Sequence, residues 1–208
     1  MTNYTSLINM LEIISQLDIH SYIHAGSSSE YGLNSSEPSE TENLIPNSHY
    51  SISKAAASGV IQYFGKIKKF PIVNLRIYSA YGPYEDSSRL IPRLCLEAGN
   101  RKFPLFANKD TPRDFIHVDD VVNSFISAAT NISKACYGES INIGTGKETT
   151  LLELANLSKE IFSISETPQF SQSIARAWDT KSWFGDISKA KNLINWEPTI
   201  PLRDGLIE

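Results

Sequence analysis

The sequence predicts an α/β fold in which short buried strands end in loops that carry polar side chains. Residues 22–25 (YIHA) have the pattern of a short buried strand, and the hydroxyl-rich loop 26–32 follows it directly. A second strand pattern, residues 71–77, ends in the loop 78–83. Between the two strands a helical pattern runs from residue 50 to residue 69. Ligands bind at the carboxyl ends of strands in open α/β sheets, so both loops are candidate site loops.

The composition argues against several classes of protein. A length of 208 residues allows one or two domains, and a formal net charge of −4 disfavours nucleic acid or an anionic membrane as the main partner. Cys95 and Cys136 show neither a disulfide framework nor a metal-ligand spacing, which is typical of reduced cytosolic thiols. No apolar run has the length of a membrane span. We therefore expect a cytoplasmic protein with no metal site.

The rest of the chain alternates between helices and loops. An amphipathic helix is predicted over residues 4–17, with Asn3 as a natural N-cap, and residues 33–48 have the composition of a surface loop. A helix over residues 121–130 is preceded by Asp119 and Asp120, which are its predicted caps. Residues 140–143 form a strand pattern, and residues 151–162 an amphipathic helix. The turn 144–146 contains G-x-G without a third glycine, which indicates a structural turn.

The helix that starts near residue 50 carries the most reactive pair of side chains. A spacing of four residues places Tyr50 and Lys54 on one face of a helix. A nearby cation stabilises a phenolate, so Tyr50 is a candidate proton carrier and Lys54 its tuner. Alone the spacing is weak evidence, because any of nine tyrosines could precede a lysine by chance.

Four motifs in this order resemble the extended branch of the short-chain dehydrogenase/reductase family. They are the hydroxyl-rich loop 26–32, the Tyr-x-x-x-Lys helix, LRIYSAYGP at residues 75–83 and RDFIHVDD at residues 113–120. The family contains nucleotide-sugar epimerases, dehydratases and ketoreductases. The resemblance implies the carboxyl-terminal part of a Rossmann-like doubly wound parallel sheet over residues 1–83. It also implies a small mixed α/β substrate-binding region over residues 84–208, with some segments returning to the Rossmann core.

The same resemblance assigns the substrate contacts. Ser27 matches the residue that hydrogen-bonds the sugar oxygen being oxidised or reduced, and Ser28 takes its place if the loop register slips. Ser79 stands where the family usually has a substrate-binding asparagine. Arg113 and Arg176 match arginines that grip the pyrophosphate, for which a guanidinium fork is well shaped. Residues 103–106 resemble a strand beside the base and ribose, and His117 is expected to be structural.

The resemblance also implies NAD or NADP as the cofactor, with Tyr50, Lys54 and Tyr78 as contacts. A dinucleotide fold needs a glycine-rich turn after its first strand, and these 208 residues do not contain one. We expect a chain that lacks its amino-terminal cofactor-binding portion, and whose partner is a second copy or a complementary amino-terminal half. Asn3 then has a second interpretation, because the family places a catalytic asparagine at this helix.

The predicted function is that of a nucleotide-sugar epimerase or 4-ketoreductase with Tyr50 as acid and base. The family's 4,6-dehydratases have Asp-Glu where this chain has Ser28-Ser29, which disfavours a dehydratase, although Glu30 could take part across a one-residue gap. A third possibility belongs to another class, a non-catalytic remnant that binds a nucleotide sugar or a protein partner. The sequence identifies neither the sugar nor the nucleotide, and it does not separate NAD from NADP.

Overall fold

The structure, a computed structural model, describes residues 3–171 and 181–208. Its α-helices are α1 (Thr5–Ile14), α2 (His49–Gln62), α3 (Leu90–Ala98), α4 (Val118–Thr130), α5 (Leu151–Ile161), α6 (Ser188–Ile194) and α7 (Leu202–Ile207). Its strands are β1 (Tyr22–Ser27), β2 (Ile72–Ile77), β3 (Ser79–Tyr81), β4 (Pro112–Arg113), β5 (Phe115–His117), β6 (Ser140–Ile143) and β7 (Thr149–Thr150). A 3₁₀-helix, Ser28–Tyr31, follows β1, and a π-helical turn, Tyr63–Ile67, follows α2.

A parallel sheet with strand order β1-β2-β6 lies at the centre of the fold, as predicted for an α/β protein. In its register Ser27 is paired with Ile77, so β1 and β2 end at the same edge. β6 comes from the region predicted to bind substrate and returns to this sheet. Two smaller pairs, β3 with β5 and β4 with β7, lie outside it.

The two faces of this sheet differ in chemistry, because successive side chains of a strand point to opposite faces. The apolar face carries Val73, Leu75, Ile141 and Ile143, which belong to one buried cluster with residues of α4 and α6. The polar face carries His24, Asn74, Arg76 and Asn142, which share the registers of β1, β2 and β6. Asn74, Arg76 and Asn142 are all buried. This face is covered by α2 and by the 3₁₀-helix.

Helix α2 begins where its sequence provides a cap. The side chain of Ser48 accepts a hydrogen bond from the backbone N–H of Ser51, and the side chain of Ser51 accepts one from the backbone N–H of Ser48. The apolar side of α2 packs on α1 in a second buried cluster. The sequence predicts a helix up to residue 69, but α2 ends at Gln62 and the π-helical turn begins at Tyr63. Within this turn, Gly65 contacts the loop before β6. A Cβ on Gly65 would lie 2.0 Å from the backbone nitrogen of Gly138, so only glycine fits at this contact.

Three sequence-based predictions for residues 103–130 differ from the structure. Helix α4 starts at Val118 and His117 is its N-cap, because Nδ1 of His117 accepts the N–H of Asp119 at 3.3 Å. Asp120 instead accepts hydrogen bonds from the backbone of Thr199 and Ile200. The predicted strand 103–106 is reduced to one isolated bridge, between Phe106 and Phe170.

The residues around β3 and β5 form a third cluster, with α3, α5 and α7 packed against them. Its fully buried members include Leu94, Phe106 and Leu154. Across the part of the chain that the structure describes, every helix is too short or too polar to span a lipid bilayer.

Candidate active site

Ser27 is the last residue of β1 and the N-cap of the 3₁₀-helix. Its Oγ accepts the backbone N–H of Ser29 at 3.2 Å and the hydroxyl of Ser29 at 2.8 Å. Ser27 is partly exposed, whereas Ser28 is 5% exposed. Of these two serines, therefore, Ser27 is the more accessible at the carboxyl edge of the sheet.

Tyr50 and Lys54 lie one turn apart near the start of α2, as their spacing predicts. Lys54 Nζ is 5.8 Å from the centre of the Tyr50 ring, and it donates a hydrogen bond of 2.8 Å to the backbone oxygen of Ala25. The side chain of Tyr50 is 53% exposed. Lys54 therefore connects the start of α2 to the end of β1, two residues before Ser27.

Asn3 lies near this pair and does not cap α1. Its Nδ2 donates a hydrogen bond of 3.1 Å to Oγ of Ser53, the neighbour of Lys54. The cap position of α1 is Tyr4, with no side-chain hydrogen bond to the helix. The prediction that Asn3 is the N-cap is therefore wrong, and the second interpretation of Asn3 stays a prediction.

Ser79 and Arg113 line a cavity of about 580 Å³. Ser79 begins β3, just beyond the end of β2, and Arg113 ends β4. Nη1 of Arg113 donates to the backbone oxygen of Pro112 at 2.7 Å, and its guanidinium carbon is 5.9 Å from the centre of the Trp183 ring. The residues at the amino end of α3 also line this cavity, among them Leu90 and Ile91.

Tyr78 does not join this group through its phenol. The side chain is buried, and its Oη would lie 2.2 Å from a Cβ on Gly185. Burial raises the pKa of the Tyr78 phenol far above its usual range. The predicted contact between Tyr78 and the cofactor stays a prediction. Arg176 lies outside the described residues, so its predicted phosphate contact also stays a prediction.

Glu30, which could have served as a catalytic acid, is fully buried. Its Oε2 accepts a hydrogen bond of 2.8 Å from Nε of Arg76, on the polar face of the sheet. Arg76 also donates 2.9 Å to the hydroxyl of Tyr31, and burial raises the pKa of that phenol to about 12. The carboxylate of Glu30 is thus part of an internal network and is not presented to a ligand beside Ser27.

Three further side chains lie around the cavity or beside Arg113 and were not predicted from the sequence. Arg89 and Arg93 line the same cavity, and Trp183 lies over the guanidinium of Arg113. Arg89 and Arg93 lie one helical turn apart around the start of α3, a spacing that could have indicated a basic rim. Trp183 had no local signal, because its contact spans 70 positions of the chain, from residue 113 to residue 183.

His117, Asp119 and Glu208 form the one grouping in residues 3–171 and 181–208 whose ligand atoms could meet around a metal ion. Nδ1 of His117 already accepts the N–H of Asp119, so a neutral imidazole carries its proton on Nε2. Nε2 faces Oε2 of Glu208 at 3.6 Å. A metal-binding histidine has the opposite arrangement, with its other nitrogen donating, so this geometry disfavours a metal.

Comparison with known proteins gives a consistent picture. The model of the NAD dependent epimerase/dehydratase family matches residues 1–144. An uncharacterized UDP-glucose epimerase of Bacillus subtilis is 29% identical over 205 residues, covering 98% of this chain and 64% of that protein. The dTDP-D-glucose 4,6-dehydratase of Mus musculus is 29% identical over 194 residues, covering 90% of this chain and 54% of that protein.

The solved structures agree. A mutant of the UDP-glucuronic acid 4-epimerase of Bacillus cereus, in complex with UDP-4-deoxy-4-fluoro-glucuronic acid and NAD, superposes with a TM-score of 0.88 at 29% identity. The match covers 99% of this chain and 65% of that one. A dTDP-glucose 4,6-dehydratase of Bacillus anthracis in complex with NAD has a TM-score of 0.84 at 26% identity, with coverages of 100% and 66%. The chain thus spans about two thirds of the length of these structures.

Proposed function

This chain belongs to the NAD dependent epimerase/dehydratase family, and we propose that it is part of an NAD-dependent enzyme that acts on a nucleotide sugar. The reaction is 4-epimerisation or reduction of a 4-keto sugar, in the cytoplasm. The observation that carries the proposal is the position of Lys54, which lies 5.8 Å from the Tyr50 ring and hydrogen-bonds the backbone of Ala25, two residues before Ser27 at the carboxyl edge of the sheet. A proton carrier, a cation and a hydroxyl at one strand end are what oxidation of a sugar alcohol requires.

Each of the three side chains has a separate task. Tyr50 takes the proton from the sugar hydroxyl as the carbon is oxidised and returns it on reduction. Lys54 stabilises the phenolate through its positive charge, which lies 5.8 Å from the ring centre. Ser27 donates to or accepts from the same sugar oxygen, because a hydroxyl can do both. NAD, when bound, supplies the hydride acceptor and donor.

The residues present fit one end of the cofactor. Ala25 is exposed beside Lys54, and in the described part of the chain β1 has a strand neighbour only on its β2 side. The nicotinamide and its ribose would therefore lie against Tyr50 and Lys54. A glycine-rich turn that would hold the pyrophosphate is absent from the 208 residues. A polypeptide segment other than these 208 residues, such as a complementary amino-terminal half, would supply it.

The cavity beside Arg113 supports a nucleoside diphosphate as the other part of the substrate. A guanidinium at the wall and the amino end of α3 both favour an anion such as a diphosphate. The related solved structures contain UDP-glucuronic acid or UDP-glucose. We propose a nucleotide sugar of this class as the substrate. Arg113 and Arg176 would hold its pyrophosphate, and Ser79 would lie near its sugar. Ser28 would lie behind Ser27.

Two features favour an epimerase or ketoreductase over a 4,6-dehydratase. Ser28 and Ser29 stand at the positions where dehydratases of this family have Asp-Glu, and neither side chain can serve as a carboxylic acid. Glu30 is paired with Arg76 in the interior. Water elimination therefore has no evident acid here, whereas epimerisation needs no acid or base other than Tyr50.

Replacing Tyr50 by phenylalanine tests the reaction, in a form of the protein that also carries a glycine-rich cofactor loop. We expect turnover of a UDP-sugar to fall by about 10²–10⁴-fold with little change in KM, because general acid/base catalysis acts in the transition state. Tyr63→Phe is the matched control, since Tyr63 is also half-exposed and Lys68 Nζ lies 5.8 Å from its ring. Equal turnover in both variants would refute the role of Tyr50.

Replacing Arg113 by alanine tests the diphosphate site, which an enzyme and a protein that only binds nucleotide sugars would share. We expect the affinity for UDP and for UDP-glucose to fall alike, by about 1.5–3 kcal/mol, because both ligands share the diphosphate. Calorimetry measures both, and Arg203→Ala, which removes an exposed ion pair with Glu160, is the control. If Tyr50→Phe binds both ligands as wild type does, and no form of the protein turns over the substrate, the non-catalytic alternative is favoured.

A further inference from the structure

We propose that Glu30 is a positioning residue, which fixes Ser27 relative to the helix that carries Tyr50 and Lys54. This inference rests on the proposed function, because it assigns Glu30 a role in aligning the same site. Glu30 is fully buried and lies three residues after Ser27 in the 3₁₀-helix. Its carboxylate is shared by three parts of the fold, the end of β1, helix α2 and strand β2.

The first contact is with Ser27 itself. Oε1 of Glu30 accepts the backbone N–H of Ser27 at 3.0 Å. Together with the bond from Ser29 N–H to Ser27 Oγ this makes a capping box, which fixes both the backbone and the hydroxyl of Ser27. The direction of the Ser27 hydroxyl therefore depends on the position of the Glu30 carboxylate.

The second contact is with α2. Oε2 of Glu30 accepts a short hydrogen bond from the hydroxyl of Ser58. Ser58 lies four residues after Lys54 and eight after Tyr50, so all three share one face of the helix. The carboxylate thus joins the strand end that bears Ser27 to the helix face that bears Tyr50 and Lys54.

The third contact anchors the carboxylate on the polar face of the sheet. Nε of Arg76 donates to Oε2 at 2.8 Å, and Nδ2 of Asn74 lies 3.3 Å from Oε1. A Cβ on Gly26 would lie 2.8 Å from Oε1 and 2.3 Å from Oδ1 of Asn74, so glycine provides the room for this approach. The carboxylate is therefore held from three sides in one position.

The chemistry of the network requires a carboxylate. Ser27 N–H, Ser58 Oγ and Arg76 Nε all donate, and an ionised carboxylate accepts on both oxygens. A glutamine keeps one oxygen and turns the other position into a donor, which faces either the N–H of Arg76 Nε or the backbone N–H of Ser27. Glu30→Gln should therefore keep the volume and lose the link between Ser27 and α2.

The first test reads the position of Ser27 without any enzyme assay. In the 208-residue chain, we expect Glu30→Gln to shift the ¹⁵N–¹H amide resonance of Ser27 and to increase its hydrogen exchange. Asp120→Asn is the matched control, because Asp120 is also buried and accepts backbone N–H groups, but those of Thr199 and Ile200. We expect the control to leave the Ser27 amide unchanged.

The second test reads kinetics in a form that carries the glycine-rich loop. We expect Glu30→Gln to lower kcat by about 100-fold while KM stays similar, because displacement of a catalytic group by ~1 Å costs about that much. Asp120→Asn should keep the wild-type kcat. Wild-type kcat in Glu30→Gln would overturn the proposal.

A double variant guards against simple misfolding of Glu30→Gln. Glu30→Leu with Arg76→Met removes both buried charges and keeps the volume, so the fold is retained without an unpaired ion. We expect its kcat to stay low even when its thermal stability equals that of wild type, and recovery of kcat would overturn the proposal. If Tyr50→Phe is fully active the proposed function fails, whereas the Ser27 amide test still judges the link to Glu30.

Discussion

The apolar and polar faces of the central sheet are built from the same three strands, but their side chains make different kinds of contact. On the apolar face, Val73, Leu75, Ile141 and Ile143 are each fully buried against α4 and α6. On the polar face, Arg76 and Asn142 are equally buried, yet they are held by hydrogen bonds to Glu30 and Tyr31. Aliphatic burial stabilises a fold without fixing directions, whereas a satisfied polar network specifies one arrangement.

The difference shows where the candidate site obtains its geometry. Tyr50 and Lys54 lie on the side that carries the polar network, since α2 packs on that face, and the network reaches Ser27 through the hydrogen bond from its backbone N–H to Glu30. A buried ion pair is often no more stabilising than a well-packed apolar pair. The network is therefore better explained by the alignment of the site than by the stability of the fold.

Removing one partner of the ion pair should have the largest effect. Arg76→Met leaves the Glu30 carboxylate buried without its cation, and we expect the free energy of unfolding to fall by about 3–5 kcal/mol. Urea denaturation measures it. A loss below about 1 kcal/mol would mean that the polar face is far more hydrated than the exposures of Arg76 and Glu30, 5% and 0%, indicate.

A cavity on the apolar face should affect stability alone. Leu75→Ala removes a fully buried side chain, and we expect a loss of about 2–5 kcal/mol in the free energy of unfolding. The Ser27 amide resonance should not move, because Leu75 points away from Glu30. Leu96→Ala, at a residue that is 63% exposed, is the control for stability. A shifted Ser27 amide in Leu75→Ala would show that the two faces are coupled.

The smallest effect concerns pH and the polar-face residue His24. Burial, and then the charge of Lys54, lower the pKa of His24 from 6.5 to about 4. His24 is therefore protonated below pH 6.5 in the unfolded chain, but only below about pH 4 in the folded chain. Stability is thus lost as pH falls through this window, by about 1–3 kcal/mol.

His24→Gln should remove this part of the pH dependence. The measurement is the change in urea midpoint between pH 7 and pH 4.5, compared between the variant and wild type. The comparison is needed because Asp114 acts in the opposite sense. Burial raises the pKa of Asp114 from 3.8 to about 6, so its contribution to stability increases as pH falls. An identical pH dependence in the variant and in wild type would show that His24 is solvated.

Local patterns predicted the parts of the fold that depend on local physics. The Tyr50 and Lys54 pair follows from helical spacing, and β2 and α5 follow from their apolar residues, with bounds that agree closely. The network around Glu30 could not be predicted, because Glu30 and Arg76 are 46 residues apart and meet only through the pairing of β1 with β2. Asn3 likewise had two interpretations from the sequence, and only its contact with Ser53 of α2 shows that it does not cap α1.

The contact between Gly65 and Gly138 joins the middle of the π-helical turn to the loop before β6. Each backbone occupies the space in which a side chain of the other would lie, and Gly138 has a φ of +74°. Substitution data for this protein should therefore show that neither glycine tolerates alanine, and that no second change at the other position restores the loss, because that position is already glycine. Saturation libraries built to alter the site can leave both codons fixed without losing functional diversity.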